Sequence, residues 1–105
     1  MGDRGNIVLC DESWTAKLYL YTHWSGSDLP QIVATALTKF KERWDDRPYL
    51  QRGLFQTLVG DDSGVIGFGL DWDEGDGGTE VYVNADKQLA RYDYSFDEFA
   101  DKFKT

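Results

Sequence analysis

The spacing of apolar and polar residues changes several times along this 105-residue chain. Residues 6–10 form a short apolar run, and residues 14–22 alternate with a period of two. This pattern predicts two β-strands joined by a polar turn. From Leu29 to about Trp44 the apolar residues recur at helical spacing, which predicts the longest helix of the chain. The strand, turn and helix within residues 19–44 form the segment around which the other elements are arranged.

The residues at the predicted helix starts are typical of helix N-termini. Ser27 and Asp28 carry side-chain oxygens that accept hydrogen bonds from free amides, and Pro30 fits a first turn because it has no N–H to satisfy. A second helix of about three turns follows, with Asp46 as its predicted cap. Gly53 lies within that helix and marks either a weak point or a position of close packing.

Three more strands and a short helix are predicted in the second half of the chain. Residues 65–72 alternate and place two glycines on one face, which indicates that something packs closely there. Strands are also predicted at 81–84 and 88–94, and the segment Ser95–Glu98 matches a capping box. The order ββααβββα predicts a single α+β domain over residues 1–105. Its sheet is expected to be mostly antiparallel, with about five strands and three helices.

The composition predicts a cytoplasmic globular protein. Hydrophobic residues make up 41% of the chain, but no apolar run reaches the roughly 20 residues that span a bilayer, and residues 1–6 lack the apolar core of a signal peptide. The only cysteine, Cys10, can form no internal disulfide, which suits a reducing compartment. Cys10 itself is predicted to be a small buried residue at a strand end, in preference to a nucleophile.

The charge is distributed unevenly between the two halves of the chain. The net charge is −8, yet residues 1–60 carry seven acids and seven bases, so the whole excess lies in residues 61–105. Residues 61–86 contain eight acids and neither lysine nor arginine. Such a segment is expected to repel nucleic acid and membranes and to attract basic protein surfaces. The alternative is that these acids only keep the protein soluble.

Five acids in this segment form the predicted protein-binding set. A calcium-binding EF-hand loop starting at the first of them would need an acid at position 5, a glycine at position 6 and a glutamate at position 12. The chain has Gly75, Asp76 and Tyr82 at those places, so we predict no metal site and no cofactor. The set consists of Asp71, Asp73, Glu74, Asp76 and Glu80.

The only histidine, His23, lies in the turn between the second strand and the long helix. Together with Trp24 and Asp28 it forms a candidate ligand or catalytic site. The turn contains no nucleophile elbow, and a single histidine without a cysteine cluster argues against zinc. The alternative is a hydrogen-bonded histidine that fixes the turn, so no catalytic residue is assigned.

Aromatic residues are numerous and are interleaved with acids rather than with bases. Tyrosine and tryptophan on an exposed sheet face are typical of protein interfaces, whereas stacking on single-stranded nucleic acid favours aromatic residues beside bases. The pattern therefore favours a protein partner over direct nucleic-acid binding. The relevant residues are Trp14, Tyr19, Tyr21, Trp24, Trp44, Tyr49, Trp72, Tyr82, Tyr92 and Tyr94.

Three stretches, YTHWSGSDLP, RWDDRPYLQRGLF and GFGL, resemble a set of small proteins of phages, prophages and bacterial genomes. The resemblance covers about residues 19–70. It implies a mobile-element context, in which small acidic proteins often bind and block a host protein. It implies no particular activity and no catalytic residues.

Three hypotheses follow from the sequence. The favoured one is a non-enzymatic protein-binding module whose acidic segment 61–86 inhibits a host protein involved in nucleic-acid handling or defence. The second is a small enzyme or ligand-binding domain that uses the His23 turn. The third is a structural or accessory protein that forms homo-oligomers through an aromatic sheet face.

Overall fold

The computed structural model describes residues 3–60, 67–72 and 78–103, and it confirms an α+β fold with three helices and a mostly antiparallel sheet. Short 3₁₀ turns precede and follow the first helix at Gly26–Asp28 and Lys41–Arg43. No helix in the described ranges is long and apolar enough to cross a membrane. The elements are β1 (Gly5–Cys10), β2 (Ala16–Thr22), α1 (Leu29–Lys39), α2 (Arg47–Val59), β3 (Phe68–Asp71), β4 (Thr79–Asn84), β5 (Leu89–Ala90), β6 (Tyr94–Ser95) and α3 (Phe96–Phe103).

The strands form one sheet in the order β3-β2-β1-β4-β5-β6. Every neighbouring pair is antiparallel except β1 and β4, which run parallel. The chain returns to β4 only after β2, two helices and β3, which is the kind of long connection that parallel strands require. β1 thus lies inside the sheet and is paired on both sides.

The hydrophobic core lies between the helices and one face of the sheet. Ile7 and Leu9 of β1, Leu20 of β2, and Val81 and Val83 of β4 point to this side and pack with buried residues of all three helices. α1 occupies the centre of the helical layer, because it contacts β1, β4 and both other helices. The apolar stripe predicted for α1 is therefore the surface that covers the sheet.

The sheet has six strands in the described part of the chain, where the sequence predicts about five. The strand expected at 88–94 is interrupted, because Arg91 and Tyr92 adopt positive φ angles of 52° and 69° that no extended strand contains. β5 and β6 flank this turn as two-residue strands. The strand expected at 65–72 is seen as β3, and residues 65 and 66 lie outside the described residues.

The helix ends also differ from the prediction. α1 ends at Lys39, five residues before Trp44, although the Trp44 ring still reaches back and donates from Nε1 to the Leu37 carbonyl over 3.0 Å. The predicted side-chain caps Asp28 and Asp46 make no capping hydrogen bonds. Asp28 has helical φ and ψ angles because it closes the preceding 3₁₀ turn, whereas a capping residue has extended backbone angles.

Two glycine predictions had different outcomes. Gly53 is a close-packing point, since a Cβ there would lie 2.7 Å from the Phe40 ring. Gly67 has a positive φ, and a Cβ there would lie 2.1 Å from Nε1 of Trp24. The close packing predicted at Gly69 is not seen among the described residues, because none of them lies within 4 Å of the place that its Cβ would take.

A candidate binding surface on the open face of the sheet

The sheet face opposite the core has no helix packed on it among the described residues, and we call it the open face. Its members follow from the strand register, because residues paired across neighbouring strands point to the same side. Asp71, Tyr19, Val8 and Tyr82 form one row across β3, β2, β1 and β4. The strand residues of the open face are Asn6, Val8, Cys10, Tyr19, Tyr21, Gly69, Asp71, Glu80, Tyr82 and Asn84.

The tyrosines of the open face cover the middle strand. Asn6, Val8 and Cys10 of β1 point to this face but are fully or almost fully buried. Tyrosines on β2 and β4 flank them and are themselves only partly buried. The tyrosines therefore have two roles, because they shield β1 from water and still present ring surface to the outside.

Two loop residues extend this aromatic surface beyond the strands. The Tyr92 ring lies 5.4 Å from Tyr82 and 4.4 Å from Trp14, so the three rings form a continuous cluster. Trp14 has a positive φ of 63°, like Arg91 and Tyr92. Left-handed backbone costs about 1–2 kcal/mol for a residue with a side chain, and such residues are concentrated at functional sites. The strained loops are what bring Trp14 and Tyr92 together.

At the centre of the open face, a neutral phenol lies beside a carboxylate. Tyr82 donates a long hydrogen bond of 3.4 Å from Oη to Oε1 of Glu80, while Oε2 of Glu80 is buried without a hydrogen-bond partner among the described residues. Burial raises the pKa of Tyr82 to about 12, and the neighbouring Glu80 carboxylate adds to this increase. Tyr82 therefore stays a neutral phenol, and the local charge is that of the carboxylates.

The predicted acidic set is only partly represented in the described residues. Asp71 on β3 and Glu80 on β4 both belong to the open face, roughly 15 Å apart, since three strand spacings separate them. Asp73, Glu74 and Asp76 lie outside the described residues. No three His, Cys, Asp or Glu side chains in the described ranges come close enough together to hold a metal ion.

The His23 turn is held by hydrogen bonds and ring contacts. His23 donates its backbone N–H to the Gly67 carbonyl over 2.8 Å, and its Nδ1 lies 3.0 Å from Oη of Tyr21. Its ring meets the Trp24 ring edge-on at 4.5 Å. Asp28 is exposed and forms no hydrogen bond or ion pair with His23. The contacts fit a histidine that fixes the turn, and a ligand site here stays a prediction.

Cys10 behaves as the sequence predicts. It is buried at the end of β1, and its Sγ–H donates to the Val8 carbonyl over 3.6 Å. Burial raises the pKa of the Cys10 thiol to about 11, and the nearby Asp11 carboxylate adds to the effect. A thiol with such a pKa is almost wholly protonated at neutral pH and is a poor nucleophile.

The contact between Trp14 and Tyr92 is not predicted from the sequence. Trp14 lies in the turn after Cys10, and Tyr92 lies where the alternation predicts an uninterrupted strand. Neither position carries glycine or asparagine, the residues that normally indicate left-handed backbone. The linear pattern contains no signal for this contact.

Comparisons with known protein families, with curated proteins and with solved structures found no match for this chain. The resemblance to small phage and prophage proteins therefore stays a prediction.

Proposed function

We propose that this protein is a non-enzymatic binding module whose open face engages a basic surface of a partner protein. One observation carries the proposal: partly exposed aromatic rings and carboxylates share the same helix-free sheet face. The acidic predicted segment contributes Asp71 and Glu80 to this face, which links the surface to the charge pattern of the sequence.

This combination of groups is suited to arginine and lysine side chains. A guanidinium group stacks on tyrosine rings and donates to carboxylates at the same time. The buried, unpartnered Oε2 of Glu80 is an acceptor that a cationic donor would satisfy. The net charge of −8 would also steer a basic partner towards the protein and accelerate association.

The partner surface that we infer is one that normally holds nucleic acid. Such surfaces are rich in arginine and lysine, and an acidic protein that covers them competes with the phosphate backbone. This makes inhibition of a host nucleic-acid-handling or defence protein the expected outcome of binding. The phage-type resemblance supports the same context.

The proposal is tested with a labelled oligo-arginine peptide and four variants in matched pairs. Asp71→Lys and Tyr92→Asn alter the open face, and asparagine tolerates the positive φ at position 92. Glu42→Lys and Tyr49→Asn make the same changes at exposed positions of the helical layer. We expect the open-face variants to bind about two- to fivefold more weakly, as loss of one exposed cation–π or charge contact would give.

The same four proteins then serve as baits for affinity capture at low and high salt. Under the proposal, a basic partner retained by the wild-type protein and by both control variants is lost from the open-face variants and at high salt. Equal binding by all four variants would contradict the proposal, and so would a dimer of the protein that excludes the peptide.

A further inference from the structure

Among the described residues β3 is an outer strand of the sheet, and its backbone alternates between bonding to β2 and pointing outward. The His23 N–H donates to the Gly67 carbonyl, so these two residues form a hydrogen-bonded pair next to the β2–β3 register. Hydrogen-bonded and non-hydrogen-bonded pairs alternate in an antiparallel ladder. Phe68 and Leu70 are thus non-hydrogen-bonded with β2, and their N–H and C=O groups point away from the sheet.

Large apolar side chains are concentrated at the same edge. Of the five large apolar residues that are more than half exposed in the described ranges, three lie here. Leu70 within β3 is 55% exposed, Trp72 directly after it is 79% exposed, and Trp24 packs on Gly67 and is 51% exposed. Protein surfaces seldom leave an outward-pointing strand edge next to exposed tryptophans, because such edges pair with other chains.

The negative charge at this edge indicates which kind of partner would bind there. Asp71 belongs to the open face at the end of β3, whereas Leu70 points to the other side of the sheet. In a strand added to β3, every second side chain would therefore lie on the open face near the Asp71 carboxylate. The other side chains would lie on the opposite side near Leu70. A second copy of this chain would bring another net charge of −8 to the edge, which disfavours self-pairing.

We propose that β3 binds an extended segment of the partner protein in which basic and apolar residues alternate, and that this segment adds a seventh strand to the sheet. This inference deepens the proposed function and depends on it for the basic character of the partner. Backbone hydrogen bonds to Phe68 and Leu70 would supply affinity. The alternating side chains would supply selectivity, with basic residues continuing the open face and apolar residues contacting Leu70.

The test uses a synthetic peptide of alternating lysine and valine as the probe. One control peptide has the same composition with the lysines and valines in separate blocks, and the other has glutamate in place of lysine. Binding is measured by anisotropy of a labelled peptide, and hydrogen exchange at the Leu70 amide is followed by NMR. We expect the alternating lysine peptide to bind more tightly than the block peptide, and we expect it alone to slow exchange at Leu70 by at least about tenfold, as a newly formed ladder bond would.

A matched pair of variants separates the backbone contribution from the side-chain contribution. Leu70→Pro removes the outward N–H without removing a bond to β2, and proline is accepted at such edge positions. Leu70→Ala keeps the N–H and removes most of the side chain. We expect Leu70→Pro to weaken peptide binding about two- to tenfold more than Leu70→Ala does, because only proline removes the ladder hydrogen bond.

The outcomes distinguish this inference from the proposed function. Equal binding of the block peptide, unchanged exchange at Leu70 in the wild-type complex, or a wild-type dimer abolished by Leu70→Pro would each overturn strand addition. The exchange measurement needs no variant, so it decides the question even if Leu70→Pro does not fold. If the oligo-arginine peptide still binds through the open face while the alternating peptide does not bind, only the edge-strand inference fails.

Discussion

Tyr82 combines a ring contact, a hydrogen bond and a shifted pKa on the open face. Its ring contacts Tyr92, its hydroxyl faces Glu80, and both burial and the nearby carboxylate favour the neutral phenol. A phenol that loses its proton at a higher pH in the folded than in the unfolded protein makes stability depend on pH. The pH dependence of the free energy of unfolding therefore measures the environment of Tyr82 on the open face.

We predict that the free energy of unfolding falls as the pH rises from about 10 to about 12. The pKa of Tyr82 is raised to about 12 in the folded protein, whereas an unfolded chain ionises tyrosine near its ordinary value of 10.0. The unfolded state therefore loses its proton first, and its population increases. Urea unfolding at a series of pH values measures the slope, and Tyr82→Phe should reduce it. An unchanged slope in Tyr82→Phe would contradict the assigned environment.

At the residue scale, the sequence predicted the burial of Cys10 correctly. A binding role for Asp71, Glu80 and the tyrosines stays a prediction. The shared face of Asp71 and Tyr82 could not be predicted, because it depends on β1 lying between the two strands. The Trp14–Tyr92 contact depends on left-handed backbone at residues that rarely adopt it.

Among the elements, α3 is the one whose start agrees most closely with the sequence. Ser95 and Glu98 form the reciprocal capping box that the sequence predicts, with both hydrogen bonds at 3.1 Å. Tyr94 and Phe99 pack edge-to-face at 6.0 Å across this start. A cap of this kind is set by residues three positions apart, so local sequence is enough to predict it.

We predict that Ser95→Ala lowers the free energy of unfolding by about 1 kcal/mol, because the Glu98 amide loses its acceptor. Asp97→Ala provides the control, since it removes only an exposed ion pair with Lys41 and should cost a few tenths of a kcal/mol. Chemical denaturation of the two variants measures both values. Equal effects would mean that the cap does not stabilise α3.

The start of α1 shows why the side-chain cap predicted there is wrong. Ser27 donates its hydroxyl to the Asp3 carboxylate, and the Gly26 amide donates to the Asp3 carbonyl. These partners lie more than twenty residues away in sequence, at the entrance to β1. A long-range contact thus replaced the local cap, and no pattern within the turn could indicate it.

At the scale of the whole molecule, the uneven charge has consequences for stability. All of the excess negative charge lies in residues 61–105. Four exposed or partly exposed ion pairs are present among the described residues, and such pairs contribute little. Repulsion arising from this excess of negative charge therefore opposes folding at low ionic strength.

We predict that sodium chloride raises the melting temperature of the protein, because it screens this repulsion more than it weakens the few ion pairs. Calorimetry at low and moderate salt measures the change. Asp93→Lys places a base at an exposed position of the acidic half and should reduce the response to salt. A melting temperature that falls with added salt would show that the ion pairs dominate.

The α+β class and the three helices followed from alternation and helical periodicity in the sequence. The strand order did not follow, since it requires knowing that β4 joins β1 and not β3. Periodicity shows that a strand has one apolar face, but it does not identify its neighbours. β1 is buried throughout, but it could be identified as a central strand only once both of its partners were known.

The parallel pairing of β1 and β4 also affects how the protein is made. β1 emerges from the ribosome with β2 directly behind it, but its second partner follows about 70 residues later, at Thr79–Asn84. Until then one edge of the central strand is unsatisfied, and the helices have only half of their sheet to pack on. The core of the nascent chain cannot be complete until α3, which supplies Phe96 and Phe99, has followed β4.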